Sequence, residues 1–84
     1  MNVLERVKRN AAELKFVEQT PEICLAAVRK NGLGLIWVKN QTPEICLAAV
    51  KENGIALAYV LNQTPEIVAA ALNNNKFASV FVKC

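Results

Sequence analysis

Apolar and polar positions recur along this chain at a fixed interval. The block Gln19-Thr20-Pro21-Glu22-Ile23-Cys24-Leu25-Ala26-Ala27-Val28 returns unchanged at 41–50 and in decayed form at 63–72, 22 residues apart each time. The N-terminal stretch fits the same template at a spacing of 21. There Val3-Leu4 matches Cys24-Leu25, Val7 matches Val28, Asn10 matches Asn31, and Phe16-Val17 matches Trp37-Val38. The chain therefore divides into four units, 1–18, 19–40, 41–62 and 63–84, within one domain spanning 1–84. Self-similarity at such a period is the signature of a stacked repeat architecture.

Each unit predicts two short helices. Thr20, Thr42 and Thr64 are N-cap residues, each followed by a proline at the first helical position, where a missing N–H costs nothing. Glu22, Glu44 and Glu66 then stand near the positive end of the helix dipole. The helix runs to Asn31, Asn53 or Asn75, with Gly32 and Gly54 expected in the left-handed position beyond its end. A second short helix is expected over 12–18, 33–39, 55–61 and 77–83. Asn-Gly between apolar runs is also a hairpin signal, but the outer units replace the glycine with Ala11 and Lys76, which suit a tight turn poorly. The short element could instead be a strand, since Ile55–Val60 and Ser79–Val82 are short apolar runs. The fold class expected is an all-α, short αα-repeat solenoid of four helix-turn-helix units, with an α/β solenoid as the alternative.

The first helix of each inner unit is apolar nearly all round, so it needs cover on more than one side. One unit cannot supply that cover, so the units must stack. The first unit substitutes Glu5 and Arg6 for two alanines and places Glu13 and Lys15 on its short helix, as a capping repeat should. The last unit keeps Ala69, Ala70, Ala71, Val80 and Phe81 uncharged. This leads to the expectation of a homodimer formed through the C-terminal repeat at Ala70, Val80 and Phe81.

Composition narrows the chemistry. The 84 residues are 54% hydrophobic and 20% charged, with a formal net charge of +3. Histidine and aspartate are both absent, which removes His-based triads and His metal sites. No C-x-x-C pair occurs. Cys24 and Cys46 share a register position with Val3 and Val68, so the position is filled for size and apolarity. Cys84 is expected to be exposed. No apolar run approaches the roughly 18 residues of a membrane span, and the charged start lacks the pattern of an export signal. The chain is expected to be cytoplasmic, in a reducing setting, without cofactor, metal or membrane partner, and not an enzyme. The glutamate ladder is read as helix-start electrostatics. Gln19, Gln41 and Gln63 are read as hydrogen bonders between repeats or within loops.

One constellation combines aromatic and basic residues. Phe16, Trp37, Tyr59 and Phe81 occupy one register, and Lys8, Arg9, Arg29, Lys30 and Lys51 crowd the end of the first helix. Such a ladder could stack single-stranded nucleic acid at one base per repeat. Packing between repeats with helix-dipole complementation is the competing account, and the modest net charge favours it. At QTPEICLAAV followed by (R/K)-x-N-G and a short aromatic-Val stretch, the chain resembles a tandem helical-repeat family of unassigned function. That family is common in giant DNA viruses and occurs in some bacteria and protists. The resemblance implies a helical array that acts through binding, as would suit a virus- or phage-encoded inhibitor or adaptor of a host protein. The expected function is therefore a protein–protein interaction module using Trp37, Tyr59, Lys30, Lys39 and Lys51. Single-stranded nucleic-acid binding is the alternative.

Overall fold

The computed structural model describes residues 2–83. Four α-helices alternate with four 3-10 helices: α1 (Val3–Arg9), η1 (Ala11–Phe16), α2 (Pro21–Lys30), η2 (Gly32–Trp37), α3 (Pro43–Glu52), η3 (Gly54–Tyr59), α4 (Pro65–Asn74) and η4 (Lys76–Phe81). No strand occurs among the described residues. The all-α repeat reading holds, and the short element is a 3-10 helix. Each 3-10 helix starts one residue before the expected span and ends two before it. Cys84 lies outside the described residues.

The threonine caps form as the sequence demands. The hydroxyls of Thr20, Thr42 and Thr64 accept from the N–H groups of Ile23, Ile45 and Ile67, each at 3.2 Å. In the first unit, which lacks Gln-Thr-Pro, Asn2 takes this role and accepts from the Glu5 N–H at 2.9 Å. Sequence reading overlooked this cap, although Asn is among the strongest cap formers.

The link between the two helices differs from expectation. No described glycine has a positive φ, so Gly32 and Gly54 are not left-handed caps. The asparagines terminate the α-helices instead. Asn31, Asn53 and Asn75 are extended, with φ of −149°, −148° and −151°. Each backbone N–H closes the α-helix on the carbonyl of Ala27, Ala49 or Ala71 at 2.9 Å. Each side-chain oxygen then caps the 3-10 helix by accepting from Leu33, Ile55 or Phe77 N–H. One residue ends one helix and starts the next, and Asn10 does the same in unit 1. The glycines serve close approach between units: a Cβ on Gly54 would lie 2.5 Å from the Ala71 carbonyl oxygen, and one on Gly32 would collide with that of Ala49.

The units stack into a slab of 40 × 19 × 15 Å, with the α-helices in one row and the 3-10 helices in another. Each α-helix packs on the next α-helix and on the 3-10 helix of the preceding unit. The core between the rows is a ladder of register-equivalent residues: Leu14, Leu35 and Leu57 from the η row, and Val7, Val28 and Val50 from the α row, all fully buried. Cys24 and Cys46 are buried, as their alternation with valine suggested.

The glutamines brace the loops, and Gln19 and Gln63 also reach the preceding unit. Gln19 donates to the Leu14 and Trp37 carbonyls and accepts from the Lys39 N–H. Gln63 repeats the pattern with Leu57, Phe81 and Lys83. Gln41 bridges Tyr59 and Leu61. Each side chain thereby satisfies backbone groups that stacking would otherwise leave bare.

The C-terminal unit is apolar and partly uncovered, as expected: Ala69 is exposed, and Phe77 and Val80 stand out to solvent. Ala71 is fully buried and Ala70 half-buried. The positions equivalent to buried Gly54 and Leu57 hold Lys76 and Ser79, both exposed. Two positions that are buried in the inner units have thus turned polar in unit 4.

Candidate functional site

A 3-10 helix has three residues per turn, so residues i and i+3 lie on one face. In η2 that rule sends Gly32, Leu35 and Val38 into the core, while Leu33, Ile36 and Lys39 form an exposed stripe. The equivalent stripes are Ala12-Lys15-Glu18, Ile55-Ala58-Leu61 and Phe77-Val80-Lys83. Side by side, the four make a grid of three columns running the length of the η row.

This grid carries most of the oily surface. Phe77 is 78% exposed, Val80 and Leu61 73% and Ile36 52%, and Phe16, 68% exposed, stands beside the grid. Every large exposed hydrophobic residue among those described, including Leu33, Tyr59 and Val82, lies on a 3-10 helix or within two residues of its end. The grid is not uniform. Ala12 and Ala58 are small and half-buried, whereas Phe77 and Ile36 are large and exposed. The grid's one carboxylate, Glu18, belongs to unit 1, beside Lys15, while units 2 to 4 contribute Lys39 and Lys83, the latter with its Nζ donating to the Val60 carbonyl of its own chain at 3.2 Å. Glu13 is paired with Arg6 at 2.6 Å.

The α row is charged. Shallow furrows between its helices are lined by Arg29, Glu44, Lys51 and Glu52, or by Lys51, Ala70, Asn73 and Asn74. Acidic and basic side chains alternate there, and no single charge sign dominates.

The five expected partner-binding residues therefore do not form one patch. Trp37 is half-buried and Tyr59 is exposed, both on the η row. Lys51 faces a furrow of the α row, and Lys30 is exposed on the last turn of α2. Lys39 lies on the loop edge near Leu61. The cation that does meet the aromatics is Lys15, whose Nζ is 4.7 Å from the Trp37 ring centroid and 5.0 Å from that of Phe16. Its position in the register, one residue before Phe16, was a readable signal. The aromatic ladder is partly internal, because Trp37 and Phe81 are half-buried. Of the three expected self-association residues, Val80 is in the outward grid, Phe81 is half-buried beside it, and Ala70 belongs to the α row.

Burial raises both the Cys24 and the Cys46 thiol pKa above the usual value of 9.0. Each Sγ lies in weak hydrogen-bond range of a glutamine oxygen, at 3.5 Å from Gln19 and 3.4 Å from Gln41. Thiols held in this neutral form are packing groups and poor nucleophiles. No group of three or more potential metal-ligating side chains occurs among the described residues, nor any helix long and apolar enough to cross a membrane. No family model, curated protein or solved structure matches the chain.

Proposed function

We propose that this chain is a non-catalytic protein–protein interaction module whose docking face is the outward grid of the η row. One observation carries the reading. The large exposed hydrophobics gather on the η side, whereas the α side presents charge. A contiguous apolar patch with a polar rim is the usual mark of a binding surface. Trp37 and Tyr59 flank the grid and Lys39 rims it, so they remain part of the surface, while Lys30 and Lys51 fall away. The likeness to the viral and bacterial helical-repeat family is in keeping with an inhibitor or adaptor role.

The test is a photo-crosslinking amino acid placed at Ile36 and, separately, at Glu44 on the α side. Position 36 is expected to yield protein adducts, with itself or with another protein, well above those at position 44. Equal or absent adducts at the two positions would remove this reading.

A further inference from the structure

The grid is self-complementary, and we infer that its occupant is a second copy of this chain, docked antiparallel, η row against η row. This inference rests on the η side being the docking face. It adds the identity of the partner and the register.

A two-fold axis lying across the grid at its midpoint, between η2 and η3, reverses the order of units but keeps each column facing its own counterpart. Unit 1 then meets the partner's unit 4, and unit 2 meets the partner's unit 3. In the first column Ala12 receives the partner's Phe77, and Leu33 meets the partner's Ile55. In the middle column Ile36 meets the partner's Ala58, and the aliphatic stem of Lys15 lies on the partner's Val80. In the edge column Glu18 meets the partner's Lys83, and the stem of Lys39 covers the partner's Leu61. Phe77 and Ile36 both land on small side chains, and the acidic end meets the basic end.

Other two-fold arrangements lack this match. An axis along the length of the array would set Lys15 against the partner's Lys15 and Ile36 against the partner's Ile36. Pairing of the C-terminal units alone would crowd Lys76 and Lys83 against their own copies. Like charges placed opposite each other suppress such pairings. The extents of the whole slab, 40 × 19 × 15 Å, cap such a face at about 600–760 Å² per copy, so two fully covered faces reach the lower end of the total of about 1,200–2,000 Å² that specific interfaces bury.

Sedimentation velocity from about 1 to 500 µM tests this by mass action. The wild-type chain is expected to shift from monomer to dimer, and Ile36→Glu, which strikes the interface twice by symmetry, is expected to abolish the shift. Glu18→Lys should weaken the dimer about three- to tenfold, since exposed ion pairs are individually weak and this one occurs twice. Adding Lys83→Glu should restore it, a rescue that damage to the fold could not produce. Ala12→Phe sets a second large side chain against the partner's Phe77 and should weaken the antiparallel dimer, while leaving a dimer of C-terminal units untouched.

A second measurement fixes the register. Glu18→Cys with Lys83→Cys, in a Cys84→Ser background, should oxidise to a covalent dimer, because the two positions lie in opposite end units of a 40 Å slab and cannot bridge within one chain. A chain that stays monomeric throughout overturns the inference, as does a dimer indifferent to Ala12→Phe and to charge exchange. Foreign protein adducts at position 36 from a monomeric chain would leave the docking face standing and remove only the second copy.

Discussion

The junction between units 2 and 3 and the junction between units 1 and 2 use glycine in different ways. Between units 2 and 3, a Cβ on Gly32 would collide with the Ala49 carbonyl oxygen, a backbone group. Between units 1 and 2 Ala11 stands at the register position of Gly32, and the close approach falls on Gly34, on which a Cβ would lie 2.7 Å from the Ala11 methyl. Gly54 repeats the backbone approach at the last junction, against the Ala71 carbonyl oxygen. The first junction differs in two further ways. Its connection, 17–20, is one residue shorter than 38–42 and 60–64. It also lacks the acceptor that ties the inner junctions, where the Gly32 N–H donates to Glu52 Oε1 and the Gly54 N–H to Asn74 Oδ1, the latter at 2.7 Å. The residue equivalent to Glu52 and Asn74 is Lys30, which offers donors only. The first junction is tied instead by Gln19 Nε2, which donates to the Leu14 carbonyl at 3.1 Å, and by Lys15 over the Trp37 ring. α1 packs on one α-helix where α3 packs on two, and in a stack of nearest neighbours the unit with fewer neighbours opens first.

The comparison is most sharply broken at Gly54. Its Cα faces the backbone of the next helix, which cannot rotate aside, so Gly54→Ala should cost about 3 kcal/mol, the upper end of overpacking effects. Equilibrium urea unfolding would measure it. A loss below about 1 kcal/mol would mean that the units separate more easily than close packing implies. Gly34→Ala should cost about 1–3 kcal/mol, because its new methyl meets another side chain. Combining it with Ala11→Gly should recover most of that loss, and additive losses in the double variant would refute the shared space.

Next in size is the acceptor. Glu52→Ala strands the Gly32 N–H inside a junction and should cost about 1–3 kcal/mol. Lys30→Ala, at the equivalent place in the first junction, should change stability by less than about 0.5 kcal/mol. Amide hydrogen exchange offers an independent check. Protection in α1 and η1 should fall below that in α3 and η3, and Glu52→Ala should narrow the gap by lowering the inner units.

The legible parts of this fold were those that depend on one unit. The threonine caps, the prolines and the Cys/Val alternation each follow from local chemistry, and the structure places them as read. The glycines were misjudged because their reason lies in the neighbouring unit: Asn-Gly at 31–32 has the form of a helix stop, yet Gly32 is there to clear Ala49. The 3-10 character of the short helices was hidden for a related reason, since six residues are too few to separate a period of 3.0 from one of 3.6. Without that period the outward grid could not be drawn, and the expected face was spread over both rows, with Lys30 and Lys51 on the α row. Ser79 was legible all along. Aligned with Leu14, Leu35 and Leu57, it is the one polar residue at a position that is core in the other three units.

The smallest effect concerns the cysteines and compares the inner units with the outer ones. Cys24 and Cys46 share their register with Val3 and Val68, and Gln63 makes its bridge in unit 4 with no thiol beside it. The sulfur–glutamine contact is therefore dispensable, and Cys24→Val with Cys46→Val should change stability at pH 7 by less than about 1.5 kcal/mol. The variants part company only in alkali. Burial raises both thiol pKa values above 9.0, so in the folded chain the thiols keep their protons at a pH where the unfolded chain has begun to lose them. The unfolded state then binds fewer protons, and stability falls as pH rises through about the unfolded thiol value. That fall continues until the folded thiols ionise in turn. Unfolding midpoints in urea at pH 7 and at pH 10 should show a steeper alkaline loss for the wild-type chain than for the double valine variant. Equal losses would mean that Cys24 and Cys46 reach solvent easily, and that the inner junctions are no tighter than the first.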